Sequence, residues 1–294
     1  MTPTVGLLTL VGITLVWGTS FVVVKNALDT IPVPLLLALR FSVAAACFAF
    51  VRFDRRAVLP ALWLGLMGFA GFATQTIGLS VTTASKAAFI TGLSVILTPL
   101  VAAAWRRRWV PGRAYAAAAL ATAGLALLTL GDAGWSGINV GDVWVLGTAV
   151  AYAFYIVYLG EVAGQSRAFA LAGLQLLPMA LLAWGWAWPQ RAALVDVPPA
   201  TYAAIAYLAV LSTALVSVLQ TYAQRVVAAP LTALVFVLEP VFAAAFAAWL
   251  LGERLGPAGW AGGAVVVVAM IVSEVRFPAR RGRAGDANPP TRRS

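Results

Sequence analysis

An all-α membrane protein of ten transmembrane helices, built as two inverted five-helix repeats, is the fold class this sequence predicts, and three observations predict it. The 294 residues are 62% hydrophobic and only 10% charged, where a soluble domain carries about 25% charged residues. Ten charge-poor stretches recur, near residues 5–24, 33–51, 60–81, 87–105, 114–131, 143–160, 168–188, 201–222, 229–251 and 257–273, each about as long as a bilayer core requires. The chain also matches itself. A shift of 135 residues lays Gly12 on Gly147, Trp17 on Tyr152, Phe21 on Ile156 and Arg40 on Gln175; Pro99 then meets Pro240 at 141, and Tyr115 meets Trp260 at 145. Five spans per copy is an odd number, so the second copy must enter the membrane from the opposite side. The expected organisation is a first repeat over 1–135, a second over 136–275, and a basic, disordered cytoplasmic tail over 276–294.

Charge sets the orientation. With the N-terminus inside, fifteen of the twenty Lys and Arg fall inside: Arg52, Arg55, Arg56, Arg106, Arg107, Arg108, Arg113, Arg167, Arg225 and six in the tail. Lys25, Lys86, Arg191 and Arg254 fall outside and Arg40 lies within a span, an asymmetry that obeys the positive-inside rule. The expected location is a bacterial inner membrane with both termini cytoplasmic. Half of the net charge of +10 is the tail from Arg276, six Arg against Asp286, which reads as charge meeting anionic lipid and not nucleic acid. The first apolar run ends at Lys25 without a small-residue cleavage site, so it is expected to stay as a span. Cys47 is the single cysteine and is placed inside the second span, which excludes an intramolecular disulfide.

Taken in order, the first span holds Trp17-Gly18-Thr19-Ser20-Phe21. Trp17 lies too deep for an interfacial belt, so it is expected on a cavity wall. The second span buries Arg40, a charge costing about 2.5–3.5 kcal/mol at that depth, which must face the protein interior and find partners. In the third, Gly65, Gly68, Gly71, Gln75 and Gly78 fall close to one face, a seam for a neighbouring backbone with Gln75 as its polar contact. The fourth, Ala87 to Trp105, is uncharged for about 28 Å and carries a stripe of Thr91, Ser94 and Thr98; Pro99 frees the carbonyl of Val95. The fifth is alanine-rich and peripheral. The sixth opens after Gly141 and Asp142, with Asp142 as the expected cap, and carries Thr148, Tyr152, Tyr155 and Tyr158. The eighth carries Thr213, Ser217, Gln220 and Gln224 in one stripe. The ninth holds Glu239 before Pro240, the only carboxylate deep in any span. Such an acid holds a proton or cation, or serves the fold beside its proline. In the tenth, Gly259 and Gly263 mark a packing or dimer surface.

Polar stripes on the first, fourth, sixth and eighth spans predict either a shared polar interior or hydrogen-bonded helix seams without a cavity. The chain has no histidine, which removes HExxH zinc sites and Ser–His dyads. Asp132 and Asp142 are placed in or near an outer loop as solvated caps. Neither an enzyme nor a metal or cofactor is expected. A pore could also use the stripes, whereas the inverted repeat favours a carrier.

Several of these stretches together resemble the drug/metabolite transporter superfamily, and within it the EamA-type exporters of two tandem domains. They are WGTSF at 17–21, Pro34 with Arg40 and Phe41, TTASKAAFITGLSVILTPL at 82–100, Gly141-Asp142, and LEPVFAAAFAAWLLGERL at 238–255. The first half departs from the pattern where Trp105 to Arg108 stand in place of the Gly252 and Glu253 kept by the second. The resemblance implies a central cavity lined mainly by spans 1, 3, 4, 6, 8 and 9, with 5 and 10 outside, and transport by rocking of the two halves. It implies amino acids and related metabolites as substrates, sometimes toxic compounds, usually moved outward. Small multidrug exporters of the superfamily exchange protons on a glutamate of their first helix; this first span has none. The expected function is a secondary active exporter of small organic metabolites, with a channel-like pore and multidrug efflux as alternatives. Trp17, Tyr152 and Tyr155 are the candidate walls, and Ser20, Gln75, Thr91, Ser94, Ser217 and Gln220 the candidate hydrogen-bonding groups. Glu239 is the candidate coupling group and Arg40 a buried charge whose pairing with Glu239 is left open. The expected partners are a small-molecule substrate, the lipid bilayer and, as candidate coupling ion, the proton; a monomer is expected, with a dimer left open.

Overall fold

The computed structural model describes residues 1–82, 84–108, 110–130, 139–251 and 256–274. The tail, Asp132 and Gly252 to Arg254 lie outside the described residues, as does the side chain of Lys86. Among the described residues there is no strand. Helix α1 (Pro3–Ala27) starts where Thr2 accepts the Val5 amide at 3.3 Å and Pro3 presets the first turn. Helix α2 (Val33–Ala46) opens on two prolines and stops at Cys47, which caps the helix from outside it and is exposed. Helix α3 (Arg55–Val81) is capped by Asp54. Span four is α4 (Ala84–Gly92) and α5 (Ser94–Arg106), followed by α6 (Gly112–Leu130).

The second half repeats the plan with more interruptions. Helix α7 (Val140–Val162) is capped by Asn139, not by Asp142; Asp142 is its third residue and closes a capping box, each side chain bonding the other's backbone amide. Span seven is α8 (Ala168–Leu174) and α9 (Leu176–Ala187), then a 3₁₀ segment, Trp188–Asp196. Span eight runs from α10 (Pro199–Ala209) through a π-helical turn, Val210–Leu215, into α11 (Val216–Ala223). Span nine is α12 (Ala229–Phe236) and α13 (Leu238–Leu251), and α14 (Pro257–Glu274) completes the chain. In spans seven and nine the break falls at Gln175 and Val237, three residues before Pro178 and Pro240. A proline there cannot donate to the preceding turn.

Six of these rods are long and apolar enough to cross a membrane, and the protein is a multi-pass membrane protein. Helix α3 runs along α7, α6 along α14, and α2 along α9, while α1 lies between α13 and the α10–α11 rod. The pairings are related by exchanging each span with the one five places on: α3–α7 answers to α1 with α10 and α11, and α1–α13 answers to α7 with α4 and α5. Glycine makes the tightest of these seams possible. A Cβ on Gly65 would lie 2.3 Å from Pro178 Cγ, one on Gly71 would lie 2.2 Å from the Tyr152 ring, and one on Gly78 would lie 2.7 Å from the Gly141 carbonyl oxygen. The small residues of α14 serve an intrachain seam too, since a Cβ on Gly124 of α6 would lie 2.9 Å from the Gly262 carbonyl oxygen. Alternation of the rods gathers Arg52, Arg55, Arg56, Arg106, Arg107, Arg108, Arg113, Arg167 and Arg225 at one end of the bundle. Among described side chains, Lys25 and Arg191 are the cations at the other.

Candidate functional site

Every interruption of the helical ladder inside a span borders the same cavity. Gly92 and Ser94 flank the break in span four, Gln175 is the break in span seven, Ser212 and Thr213 lie in the π turn of span eight, and Phe236 and Glu239 flank the break in span nine. Irregular backbone at membrane depth is tolerated where it lines a cavity, and there it frees carbonyls and amides for a ligand. The cavity is small, with about 70 Å³ of room for centres of water-sized molecules.

Arg40 is its cation. It is 3% exposed, with Nε donating to Thr213 Oγ1 at 2.7 Å and Nη2 to Ser212 Oγ at 3.1 Å. Its guanidinium carbon lies 4.6 Å from the centroid of the Phe72 ring, a cation–π contact in a desolvated setting. The π turn is what presents both hydroxyls. Thr213 Oγ1 bonds the carbonyl of Leu208, five residues back, at 2.8 Å, and the carbonyl of Ser212 turns outward to accept Trp17 Nε1 at 3.1 Å. One local widening of span eight thus anchors spans one and two together.

Glu239 is its carboxyl group, 9% exposed at the start of α13. Its carboxylate makes no hydrogen bond among the described residues. Gly18 lets α1 pack closely on the start of α13, because a Cβ there would lie 3.1 Å from Ala243 N and 3.3 Å from the Glu239 carbonyl oxygen. Across the cavity Tyr155 donates to Gln175 Oε1 at 2.8 Å, which leaves Gln175 Nε2 buried with no partner. Trp17 packs edge-on against Phe236 with centroids 5.0 Å apart, and Tyr152 against Phe72 at 5.9 Å. The cavity therefore offers one cation, one unbonded carboxyl and one unbonded amide donor between aromatic walls.

The EamA-like transporter family matches residues 4–130 and again 139–274. The chain belongs to that family. An uncharacterized transporter of Archaeoglobus fulgidus is 28% identical over 265 residues, 90% of this chain and 84% of its own. A crystal structure of a protein 18% identical in sequence superposes with a TM-score of 0.72 over 92% of this chain and 96% of that one, which shows a shared fold.

In this EamA-like protein Trp17, Ser20, Arg40, Gln75, Thr91, Ser94, Tyr152, Tyr155, Ser217, Gln220 and Glu239 all border the one cavity. Gln75 donates to Thr91 Oγ1 at 3.3 Å, and Gln220 to Gln224 Oε1 at 3.0 Å. Arg40 and Glu239 form no ion pair; the hydroxyls of Ser212 and Thr213 hold the arginine instead. Spans two and seven also contribute walls, through Arg40, Gln175, Leu176 and Met179, which the expected set of six spans left out. Gln175 was readable from the self-alignment, where it occupies the place of Arg40. Asp142 is not a solvated cap: it is 6% exposed and accepts the Thr82 hydroxyl at 2.6 Å. That contact, together with Lys25 Nζ donating to Leu79 O at 2.8 Å and Thr82 O at 3.2 Å, ties α1, α3 and α7 beyond the cavity at the end away from the arginines.

Proposed function

We propose that this protein is a secondary active transporter, working as an exporter of small organic metabolites such as amino acids or related amphipathic compounds. The carrying observation is the polar cavity lined by both halves at their helix breaks. Two walls contributed by separate repeats can open to one face or the other by rocking, which is alternating access. In this reading the ten rods form two inverted five-helix repeats, the arginine-rich end faces the cytoplasm of a bacterial inner membrane, and both termini lie there. Trp17, Tyr152 and Tyr155 hold the apolar part of the solute, and the free donors of Arg40 and Gln175 bind its acceptors. Glu239, whose carboxyl makes no hydrogen bond among the described residues, takes up the coupling proton or a cationic group.

Counterflow in proteoliposomes tests this. Purified protein is loaded with one unlabelled metabolite class and presented with its labelled counterpart, with and without an imposed pH gradient. Saturable exchange that is confined to one class and responds to the gradient is expected. Leak of ions or dye without exchange would replace the carrier by a pore.

A further inference from the structure

Five arginines share one groove at the arginine-rich end. Arg52, Arg55, Arg56, Arg167 and Arg225 line it, between the turn joining α2 to α3 and the turn joining α7 to α8. Asp54 is the one carboxylate in that groove, and it is already occupied. It accepts the backbone amides of Arg56 and Arg167, each at 3.0 Å, and these bonds, that of Arg167 first, hold its carboxyl below the usual carboxylate range. Among the described residues no carboxylate pairs with any of the five guanidiniums, so the groove keeps five positive charges against one negative. Arg225 is held in place: Nε donates to Ala163 O at 2.8 Å and Nη2 to Ser166 O at 2.6 Å, with the Tyr222 ring 5.1 Å from its guanidinium carbon. Ser166 Oγ, beside it, is buried without a partner.

A second, apolar cleft continues the first. Val51, Arg52, Phe53, Phe169 and Ala170 border both. From there the cleft runs between α2 and the α8–α9 rod past Phe48 and Leu177, away from the charge. Phe53, Phe169 and Leu177 are 65, 48 and 49% exposed, so it opens on the outer surface of a membrane protein, where acyl chains lie. A soluble anion would use the arginines and leave the cleft empty; a neutral lipid would do the reverse.

We propose that this composite groove binds an anionic phospholipid of the arginine-side leaflet, its phosphate among the arginines and one acyl chain in the cleft between α2 and α9. Guanidinium groups bind phosphate oxygens in pairs, and basic pockets between spans select acidic headgroups. The inference rests on the membrane-spanning fold and not on transport. Occupancy would bear on the cavity all the same, because α2 carries Arg40 and the α8–α9 rod carries Gln175.

The test titrates the purified full chain in detergent with phosphatidylglycerol or phosphatidylcholine and counts bound lipid by native mass spectrometry. Phosphatidylglycerol is expected to bind at least tenfold more tightly. The triple variant R52Q/R56Q/R167Q removes three side chains that make no hydrogen bond within the described chain, so the fold is expected to survive. Its affinity for phosphatidylglycerol is expected to fall on the order of a hundredfold. The variant R107Q/R108Q/R113Q, which removes equal charge from the same end, should leave binding unchanged. Equal losses in the two variants would reduce the groove to diffuse surface charge. Displacement of the lipid by inorganic phosphate or glycerophosphate would make it an anion site without a lipid. Equal binding of the two lipids by the wild-type chain, which needs no variant, would overturn the proposal outright.

Discussion

The two halves of this transporter share a scaffold but not a charge. The shift that lays Pro99 on Pro240 also lays Thr98 on Glu239, and the earlier shift lays Arg40 on Gln175. The first half therefore supplies a buried cation where the second has a neutral amide, and the second supplies a buried carboxyl where the first has a hydroxyl. Each neutral counterpart is absorbed locally: Thr98 bonds its own helix at the Ser94 carbonyl, 2.7 Å away, and Gln175 receives Tyr155. The difference teaches that the two halves share span pairing while both the helix breaks and the cavity-lining chemistry diverge, since spans seven and eight are interrupted where spans two and three run on unbroken. Two buried cations facing each other across so small a cavity would cost several kcal/mol with no compensating bond.

The largest expected effect comes from erasing the first half's charge. Arg40→Met leaves the hydroxyl of Ser212 without its donor and the Phe72 face without its cation, and counterflow should fall by about a hundredfold or more, at two charge-assisted bonds lost. Arg40→Lys keeps the charge but not the planar fork that reaches Ser212 and Thr213 together, and should recover only a small part of the activity. Full activity in the lysine variant would mean that charge alone matters and the π turn is incidental. Next in size is the second half. Glu239→Gln keeps the volume and removes the charge, so exchange at equal pH on both sides should persist while the response to a pH gradient disappears. An unchanged gradient response would take the coupling role away from Glu239. Glu239→Thr, which copies the first half, should behave alike.

Much of this comparison was legible in the sequence, and the parts that were not have a common physical cause. Composition and span length gave the membrane class because water and lipid select residues wholesale. The polar stripes located Trp17, Ser94, Tyr152 and Gln220 because a polar group in lipid must face inward. The partners were not legible. That Arg40 ends on Ser212 and Thr213 depends on a π turn, and no proline or glycine in Val210–Leu215 announces one. The role of Asn139 as cap in place of Asp142 depends on a one-turn difference in where α7 starts, which apolar periodicity does not resolve. Gln175 stood opposite Arg40 in the self-alignment but was passed over, since the resemblance named spans that line the cavity and span seven was not among them.

A third contrast lies within the first half, between two glycines placed differently against their neighbours. Gly65→Ala would force a methyl to 2.3 Å from Pro178 Cγ and 2.5 Å from the Gln175 carbonyl, at the very break that positions Gln175. A loss of about 1–3 kcal/mol in thermal or denaturant stability is expected. Gly12 has nothing within 4 Å of an added methyl, so Gly12→Ala should stabilise by about 0.5–1 kcal/mol through helix propensity alone. If both cost stability, the α3 seam is not special and lipid packing of small residues governs the whole surface.

The smallest effect is expected at the arginine-rich end, where Arg106 Nε meets Glu161 Oε1 at 2.6 Å between α5 and α7. The pair has a short distance in its favour and everything else against it. Its side chains are 53 and 32% exposed, so solvent and salt screen it, and two flexible side chains must be fixed to make it. Glu161→Gln should therefore change stability by no more than about 1 kcal/mol, and less in high salt. At the other end of the same two repeats, Thr82 bonds Asp142 in a buried setting with Asn139 alongside. Thr82→Val removes a bond to a charged group and should cost about 1.5–3 kcal/mol, largely independent of salt. A reversal of that order, with Glu161→Gln the more damaging and its effect persisting in salt, would make the arginine-rich end the tighter closure of the cavity. Rocking would then have to begin at Thr82 and Asp142, where the buried bonds between α3 and α7 would be the ones that open and re-form in each cycle.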